Sequence, residues 1–522
     1  MSAELYEWVV KQRNRTPRAD YGPIWESNTK TFDEDFAQFG GNHIAQLKNM
    51  IATRRDYTVF SKGPATDAVC RHYLEYLERI RFDTENAVRR CPEVDFVPSD
   101  MKSESQFGPV SNDLLRKFCY LDIINRHVPA NIEEKQTFLE IGGGIGSLAR
   151  IIQSRYTNCR YFIFDLPESL FYSFTYLNAQ FPGKVHLIDE DSIADIAGTN
   201  GGDPEFFLVP SYLRSQLPDI EIDVVLNTAS LGEMTSETCW SWFEFINKNP
   251  IKHVFLLNRY LNNWHLSGKT GNYCSLLLDK SWDIKEWHID PDFLKSPVEE
   301  MEPNYLLIVA EKSESPSEES ARRKAAQYLE RAESSFFVKV PLRRPDTMKA
   351  RYHRPLFGGK GGPLHHFWEA CRLDPEPNAI RRHVEFLRAW GPADKYFEEI
   401  YAYISLLLLK KPESFAPIRQ AASIWLWGAG SYGEMMHQAL LQAGIPVFGV
   451  FDGTKTGSWM GFDITPANQM ADVTSQGDII LVTSNAWEEM VARHTTEKVP
   501  ATIMAYGDLF ADDNPLVPAI VS

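Results

Sequence analysis

The 522 residues are 43% hydrophobic and 12% aromatic, a composition typical of a globular protein with two or three domains. No basic run offsets the net charge of −16, so the chain would repel a phosphate backbone and a nucleic-acid partner is not expected. The seven cysteines are scattered and form no Cys-x-x-Cys pair, which argues against a disulfide framework or a zinc site. Because signal-peptide and membrane-spanning patterns are absent, we expect a cytoplasmic protein without a membrane partner.

Residues 1–136 are predicted to form a helical N-terminal region. In Val69–Ile80, for example, apolar residues recur at intervals of three and four, as on one face of an amphipathic helix. A helical layer of this kind either packs on a neighbouring domain or covers the mouth of its pocket. The periodicity alone does not distinguish these two roles.

A predicted strand, Thr137–Ile141, contains an acid near its end and opens into a glycine loop. Glycine occupies every second position of the loop: Gly142, Gly144 and Gly146. Glycines let the backbone adopt positive φ and approach a ligand closely. Dinucleotide-binding loops have Gly-x-Gly-x-x-Gly instead, so this spacing favours S-adenosylmethionine. Glu140 is expected to polarise the loop or to face the cationic amino-acid end of that cofactor.

Two further predicted strands end in acids that can bind a nucleoside. Arg160–Asp165 ends about 20 residues after the glycines, where an acid accepts hydrogen bonds from ribose hydroxyls. Lys184–Asp189 is predicted as a third strand, and we assign Asp189 to the amino group of adenine.

Ile222–Leu226 and His253–Leu257 are predicted as the fourth and fifth strands, separated from each other and from the earlier strands by helical stretches. This alternation predicts an α/β fold with a doubly wound sheet, in which ligands bind at the carboxyl ends of the strands. Asn227 and Asn258 directly follow these two strands. Their amides are therefore expected to orient the cofactor or the acceptor.

The region from Glu104 to Lys312 resembles the sugar O-methyltransferase family. The matching motifs are Leu139-Glu-Ile-Gly-Gly-Gly144 and Asn227-Thr-Ala-Ser-Leu-Gly-Glu-Met234. The first motif occurs in many methyltransferases and specifies the cofactor, whereas the second carries the inference of a sugar acceptor. The resemblance implies a class I S-adenosylmethionine-dependent methyltransferase, with its catalytic domain at residues 137–312.

Methyl transfer to a sugar hydroxyl requires in-line alignment and removal of a weakly acidic proton. The base should project from the loops after the fourth and fifth strands, which nominates Glu233 and His265 as catalytic residues. Each has a structural alternative. Glu233 could instead stabilise the first turn of the following helix, and His265 could lie at the surface or support another residue.

Residues 313–420 are predicted to be a polar linker and a helical connector, with helices at Leu364–Leu373 and Ile380–Trp390. The glycine-rich loop at 358–362 does not have the spacing of a phosphate-binding loop. Three histidines lie close in sequence but lack regular ligand spacing, so no metal site is assigned to His353, His365 and His366.

Residues 421–522 are predicted to form a smaller Rossmann-like accessory domain. Gly428–Gly433 follows a strand with Gly-x-Gly-x-x-Gly spacing, and the next strand ends at Asp452. The pattern at 451–466 resembles the C-terminal domain of sugar C-methyltransferases. A lone glycine motif is a weak signal, so bound NAD(P) is not expected. The domain could hold a nucleotide portion of the substrate, act structurally or form a homodimer.

These features predict a methyltransferase that uses S-adenosylmethionine and acts on a hydroxyl of a sugar or glycosylated metabolite. One alternative keeps the cofactor but has a peptide-like or other natural-product acceptor. A second is a nonenzymatic scaffold with two degenerate nucleotide folds, although the intact loop and its acids argue against degeneracy. A third is a bifunctional enzyme with an NAD(P)-dependent C-terminal activity.

Overall fold

The computed structural model describes residues 2–21, 23–53, 64–128, 135–198, 205–259, 277–289, 291, 294, 305–339, 360, 363–374, 418, 420–442, 444–483 and 499–505. The chain divides into two compact units. Unit 1 comprises Met1–Tyr260 and Ser281–Ser315, and unit 2 comprises Leu261–Lys280 and Pro316–Ser522.

The described part of the N-terminal region is helical, as predicted. Its helices are α1 Ser2–Arg13, α2 Pro23–Gln38, α3 His43–Thr53, α4 Pro64–Arg79, α5 Thr84–Arg90 and α6 Asn112–His127. The predicted helix at Val69–Ile80 is confirmed as part of α4 to within one residue. A short hairpin, β1 Ser103–Ser105 and β2 Gly108–Val110, precedes α6. The Ser111 side chain caps α6 by accepting a hydrogen bond from the Leu114 amide.

An eight-stranded sheet forms the centre of unit 1. Its strands are β3 Gln136–Ile141, β4 Cys159–Asp165, β5 Val185–Leu187, β6 Glu205–Pro210, β7 Ile222–Thr228, β8 Ile251–Arg259, β9 Trp282–Ile289 and β10 Tyr305–Lys312. They are arranged in the order β5-β6-β4-β3-β7-β8-β10-β9. Strands β3 to β8 are parallel, whereas β10 is antiparallel to both of its neighbours.

Helices α7 Ser147–Arg155, α8 Pro167–Gln180 and α9 Ser236–Lys248 connect parallel strands of this sheet. The predicted doubly wound α/β fold is thereby confirmed. Strand β6 was not predicted, and it lies between the short edge strand β5 and β4. Of the two strands that flank β4, the sequence therefore predicted β3 but not β6.

The N-terminal helices share one hydrophobic core with the sheet. The Phe32 ring of α2 packs edge-on against Phe171 of α8, with ring centroids 5.1 Å apart. The ring centroids of Tyr120 in α6 and Phe255 in β8 lie 5.8 Å apart. Burial of such large rings is a main source of stability, so this helical layer is part of the same folded unit as the sheet.

Unit 2 contains helices α10 Glu318–Lys339 and α11 Pro363–Leu373 and a second sheet. The strands of this sheet are β11 Ile424–Trp427, β12 Gly449–Asp452, β13 Ser458–Trp459, β14 Phe462–Pro466, β15 Ile479–Val482 and β16 Thr502–Ala505. They follow the order β13-β14-β12-β11-β15-β16, and all pairs except β13 with β14 are parallel. Helix α12 Ser431–Gln442 follows β11, and α13 Met470–Val473 precedes β15.

Several sequence features can be placed on these elements. Residues 313–317 separate β10 from α10 within the predicted linker, and the predicted helix at Leu364–Leu373 is α11. The predicted helix at Ile380–Trp390 lies outside the described residues. Among the described residues no helix has the length and hydropathy needed to cross a membrane. The cysteines that the structure describes are free and buried: Cys70, Cys91, Cys119, Cys159, Cys239 and Cys371.

Candidate functional site

The glycine loop between β3 and α7 has the predicted backbone conformation. Gly142, Gly144 and Gly146 have φ of +71°, +58° and +81°, a region that favours glycine. A Cβ atom on Gly142 would lie 2.1 Å from Ser230 Oγ, and one on Gly146 would lie 2.9 Å from Leu177 Cδ1. The loop therefore requires glycine at these two positions for both conformational and steric reasons.

Asp165 holds this loop from the end of β4. Its Oδ2 accepts a hydrogen bond from the Gly144 amide at 2.9 Å, and its Oδ1 accepts one from the Leu166 amide at 2.7 Å. Burial raises the pKa of Asp165 to about 6. Each carboxylate oxygen has a second lone pair, and the residue is partly exposed. The side chain thus positions the loop and retains acceptor capacity for a ribose.

Glu140 lies beneath the loop. It is 1% exposed, and its Oε2 accepts a hydrogen bond from the Tyr161 hydroxyl at 2.9 Å. Burial raises the pKa of Glu140 to about 7. A Cβ atom on Gly143 would lie 3.0 Å from the same Oε2. This position fits the predicted support of the loop, and contact with the amino-acid end of a cofactor stays a prediction.

Asn227 lies at the end of β7 and is fully buried. Its Nδ2 donates to the Ile141 carbonyl at 2.7 Å and to Ser230 Oγ. Its Oδ1 accepts a longer hydrogen bond from the Leu231 amide, at 3.4 Å. The amide is used within the protein, and the role of Asn227 toward a ligand stays a prediction. It ties the 227–234 motif to the end of β3.

The backbone turns sharply after Asn227. Ala229 has φ of +71°, which is uncommon for a residue with a side chain. A single 3-10 turn, Leu231–Glu233, follows and ends at partly exposed Glu233. The N-cap of α9 is Thr235, whose Oγ1 accepts a hydrogen bond from the Thr238 amide. Thr235 therefore supplies the side-chain cap of α9.

Asp189 lies two residues beyond the end of the edge strand β5. Its Oδ2 accepts a hydrogen bond from Lys11 Nζ at 2.9 Å, and its Oδ1 accepts one from the Ser192 amide at 3.2 Å. Because β6 separates β5 from β4, the residues after Pro210 lie closer in the sheet order to Asp165 than Asp189 does. The assignment of Asp189 to adenine stays a prediction, and the residues after β6 are nearer alternatives in the sheet order.

The second nominated base, His265, lies outside the described residues. Asn258, which was predicted to orient a ligand, is partly buried near the end of β8, opposite Leu306 of β10. Its Oδ1 is buried and has no hydrogen-bond partner among the described residues. An acceptor of this kind is suited to bind a ligand hydroxyl.

Two residues missed by the sequence analysis also fix the loop. Asp113 of α6 accepts a hydrogen bond from Ser147 Oγ, at the start of α7, at 3.1 Å. Burial opposes ionisation of Asp113, but Lys117 and Arg116 hold its pKa below the usual range. No sequence pattern connects positions 113 and 147, so only the fold could bring this pair together.

Two glycines in the loop of unit 2, Gly430 and Gly433, differ in the space available for a side chain. A Cβ atom on Gly433 would lie 2.1 Å from the Gly428 carbonyl oxygen, whereas one on Gly430 would have no neighbour within 4 Å among the described residues. Gly428 has φ of +127°. His365 and His366 lie in α11, and the described residues contain no group of side chains arranged to hold a metal.

Asp452 holds the loop of unit 2 as Asp165 holds the loop of unit 1. Its Oδ2 accepts a hydrogen bond from the Ala429 amide at 2.8 Å. Its Oδ1 accepts three, from the Thr454 amide, the Thr454 hydroxyl and the Lys455 amide. The Lys455 ammonium also donates to the Ala429 carbonyl at 2.6 Å. The loop and the residues after β12 therefore form one hydrogen-bonded group.

Residues 118–196 match the family model of the O-methyltransferase domain. The match contains Glu140, the glycine loop and Asp165, so it covers the residues that form the candidate cofactor site. No curated protein sequence matches the chain.

Solved methyltransferase structures align with part of the chain. The pyocyanin biosynthetic protein PhzM is 15% identical, with 47% of this chain and 67% of that chain covered and a TM-score of 0.25. Magnesium protoporphyrin IX methyltransferase from Synechocystis PCC 6803 is 12% identical, with 46% and 97% covered and a TM-score of 0.28. The mitomycin 7-O-methyltransferase MmcR is 13% identical, with 38% and 57% covered and a TM-score of 0.24.

The assignment of the domain rests on its own residues and on the family match. The match covers the glycine loop, and the sheet topology places that loop at the carboxyl end of a central strand. The chain therefore carries an S-adenosylmethionine-dependent methyltransferase domain with a class I α/β fold.

Proposed function

We propose that this enzyme is an O-methyltransferase that acts on a hydroxyl of a sugar or glycosylated metabolite. The observation that carries the proposal is the junction between the glycine loop and the 227–234 motif. Gly142 packs against Ser230, and Asn227 and Ser230 both donate to the carbonyl of Ile141. The loop that would hold the cofactor and the segment that bears Glu233 are thereby fixed to one another.

The residues of the loop fit S-adenosylmethionine. Gly142, Gly143 and Gly144 are partly exposed and lack side chains, so a ligand can approach their backbone. Asp165 retains acceptor capacity beside them, as a ribose requires. The bound cofactor would supply an electrophilic methyl group. The protein must align the acceptor oxygen and accept its proton.

Glu233 is the base that we propose. It follows the junction directly, on the turn after β7, and Thr235 already caps the next helix. Asn258, at the end of the neighbouring strand β8, presents a buried oxygen that is suited to accept a hydrogen bond from a second hydroxyl of the acceptor. A polyhydroxylated acceptor would use both residues, which favours a sugar over an acceptor with a single reactive group.

The test is transfer of an isotopically labelled methyl group from S-adenosylmethionine to a panel of sugar nucleotides, glycosides and peptide-like acceptors. We expect label on a sugar oxygen. Glu233→Gln should lower kcat by about 10²-fold or more, the usual contribution of a general base, without weakening cofactor binding. Glu244→Gln is the control, because Glu244 pairs with Lys248 on the exposed surface of α9. Label on a peptide-like acceptor would instead support the alternative substrate class.

We propose no redox role for unit 2. The Oδ1 of Asp452 already accepts three hydrogen bonds, so it has less capacity for a ribose than Asp165 has. The protein would then act on a small molecule or carbohydrate without NAD(P), nucleic acid or membrane. A homodimer would be tested by sedimentation.

A further inference from the structure

The segment from Lys11 to Tyr21 crosses the carboxyl-end loops of several strands, and we refer to these residues as the N-terminal strap. It comprises the end of α1 and the 3-10 turn Arg18–Asp20. Its side chains contact residues that follow β4, β5, β6 and β7. Ligands of doubly wound sheets bind at this edge, so the strap lies over the side on which the cofactor would bind.

The first half of the strap contacts the loops after β5 and β6. Lys11 donates to Asp189, and Arg15 pairs with Glu190. The Tyr212 hydroxyl, two residues beyond β6, lies 2.7 Å from Gln12 Oε1 and is also hydrogen-bonded to Glu190. Gln12 is therefore fixed against the loop after β6. Strand β6 lies next to β4 in the sheet.

Arg13 connects the strap to the loop after β4. Its Nε donates to Glu168 Oε1 at 2.6 Å, and its two terminal nitrogens form a bidentate pair with Asp33. The Tyr21 hydroxyl donates to Glu168 Oε2 at 3.1 Å. Glu168 is 3% exposed and lies three residues after Asp165, so these contacts set the position of the segment that follows the ribose-binding acid.

The end of the strap contacts the residues beyond β6 and β7. Asp20 is buried and accepts a hydrogen bond from Thr238 Oγ1 of α9 at 3.2 Å. Its Oδ2 also lies 3.5 Å from Nη1 of Arg214, which is in the turn after β6. The strap is thus held at both of its ends and in its middle.

One atom of the Gln12 amide group, Nε2, is buried without a hydrogen-bond partner among the residues that the structure describes. The side chain of Gln12 is 0% exposed. A buried amide without a partner destabilises a fold unless something else supplies the bond. Gln12 contacts the loop after β6, and its neighbour Arg13 contacts the segment after β4. The adenosine half of a cofactor held by Asp165 would bind beside these two loops.

From these contacts we propose that the strap forms the outer wall of the adenosine subsite. Gln12 supplies a hydrogen bond to the nucleoside, and Arg13 is a positioning residue that acts through Glu168. This inference rests on the proposed use of S-adenosylmethionine. The cofactor site would then include N-terminal residues that are not part of the glycine-loop motif.

The test is calorimetric binding of S-adenosylhomocysteine to the full chain and to Gln12→Met, with thermal unfolding of both proteins. Methionine keeps the size of glutamine but removes the amide. We expect roughly tenfold weaker binding, the effect of one lost hydrogen bond. The unfolding temperature of the free protein should change little, because loss of the bond from Tyr212 to Gln12 Oε1 offsets removal of the buried Nε2. Equal affinities of the two proteins would overturn the proposal.

Gln46→Met is the matched control. Gln46 is also 0% exposed, lies near a tyrosine hydroxyl and has one amide atom without a described partner, but it packs between helices α2, α3 and α8. This variant should bind S-adenosylhomocysteine as tightly as the wild type does. Weakening of equal size in both variants would indicate a general packing effect and would refute the specific role of Gln12.

Two further measurements do not depend on the folding of Gln12→Met. Amide hydrogen exchange of residues 11–21 should slow when the wild-type protein is saturated with S-adenosylhomocysteine, and an unchanged rate would contradict the wall. Arg13→Gln should raise KM for S-adenosylmethionine more than it lowers kcat, and Arg13→Lys should recover part of the loss. If the wild type does not bind S-adenosylhomocysteine at all, the proposed function itself fails.

Discussion

The Ser230 side chain fills the space that a side chain on Gly142 would need: a Cβ atom on the glycine would lie 2.1 Å from the serine oxygen. They come from the ends of adjacent parallel strands, β3 and β7. The Ser230 hydroxyl in turn donates to the Ile141 carbonyl at 2.9 Å. Because Gly142 has no side chain, the Ser230 side chain of the 227–234 motif can pack against the glycine loop.

Gly142→Ala should therefore lower the free energy of unfolding by more than the cost of a left-handed alanine, which is about 1 kcal/mol. Gly183→Ala is the control, because Gly183 has nearly the same φ, +74°, but open space around a Cβ atom. Urea unfolding of both variants isolates the steric part. The double variant with Ser230→Gly should recover some stability, and equal losses at positions 142 and 183 would disprove the contact.

Ala229→Gly should stabilise the protein by roughly 0.5–1 kcal/mol. Its φ of +71° strains a residue that has a Cβ atom but suits glycine, although glycine also increases the entropy of the unfolded chain. Ala87→Gly in the middle of α5 should have the opposite sign, with a loss of about 1 kcal/mol. Thermal and urea unfolding provide the comparison. A loss of stability at position 229 would mean that its conformation is not strained.

Stability should fall as pH rises because of Glu140. Its pKa is about 7 in the folded protein and lower in the unfolded chain, so between about pH 4.5 and 7 only the folded state keeps the proton. The free energy of unfolding should therefore fall by at most about 3 kcal/mol as the pH rises from about 4.5 to 7, and Glu140 should contribute little further change above that range.

Glu140→Gln keeps a neutral side chain at every pH and should remove this part of the pH dependence. The measurement is urea unfolding of both proteins from pH 5 to 8. Asp165 has a raised pKa of about 6 and contributes in the same direction, but it is present in both proteins, so the difference between them reports mainly on Glu140. Parallel stability curves for wild type and variant would contradict the assignment.

Two of the three glycines of the unit 2 loop, Gly430 and Gly433, should respond differently to substitution. Gly433→Ala should destabilise unit 2, because the new Cβ atom would meet the Gly428 carbonyl at 2.1 Å, whereas Gly430→Ala should be tolerated. Limited proteolysis and thermal unfolding can detect the difference. Binding of S-adenosylhomocysteine should persist in both variants. NADH should not bind the wild type, and calorimetric detection of NADH binding would overturn our proposal for this unit.

The glycine loop was the most predictable part of the fold. Gly142, Gly144 and Gly146 have a spacing that few backbones require, and their positive φ angles were predicted from that spacing. The sheet was also predictable, because apolar strands alternate with helices along the chain. Strand β6 was missed although Phe206–Val209 is a continuous apolar run.

The roles of individual side chains were harder to predict than the elements that carry them. Asn227 directly follows a predicted strand at the ligand edge, yet it turns inward and bonds the Ile141 carbonyl. Burial and direction depend on contacts between strands, and a single sequence does not contain this information. The contact of Arg13 with Glu168 joins residues that are 155 positions apart, so no local pattern could reveal it.

Asp165 and Asp452 perform the same task in two separate sheets, because each accepts a hydrogen bond from a main-chain amide of its glycine loop, at 2.9 Å and 2.8 Å. An acid at the end of a second strand can therefore fix a glycine loop by a main-chain hydrogen bond, whether or not a nucleoside binds there. Substitution of either residue should disturb the fold before it reports on a ligand. For such acids, the number of acceptor positions left over is a better guide to binding than the presence of the carboxylate.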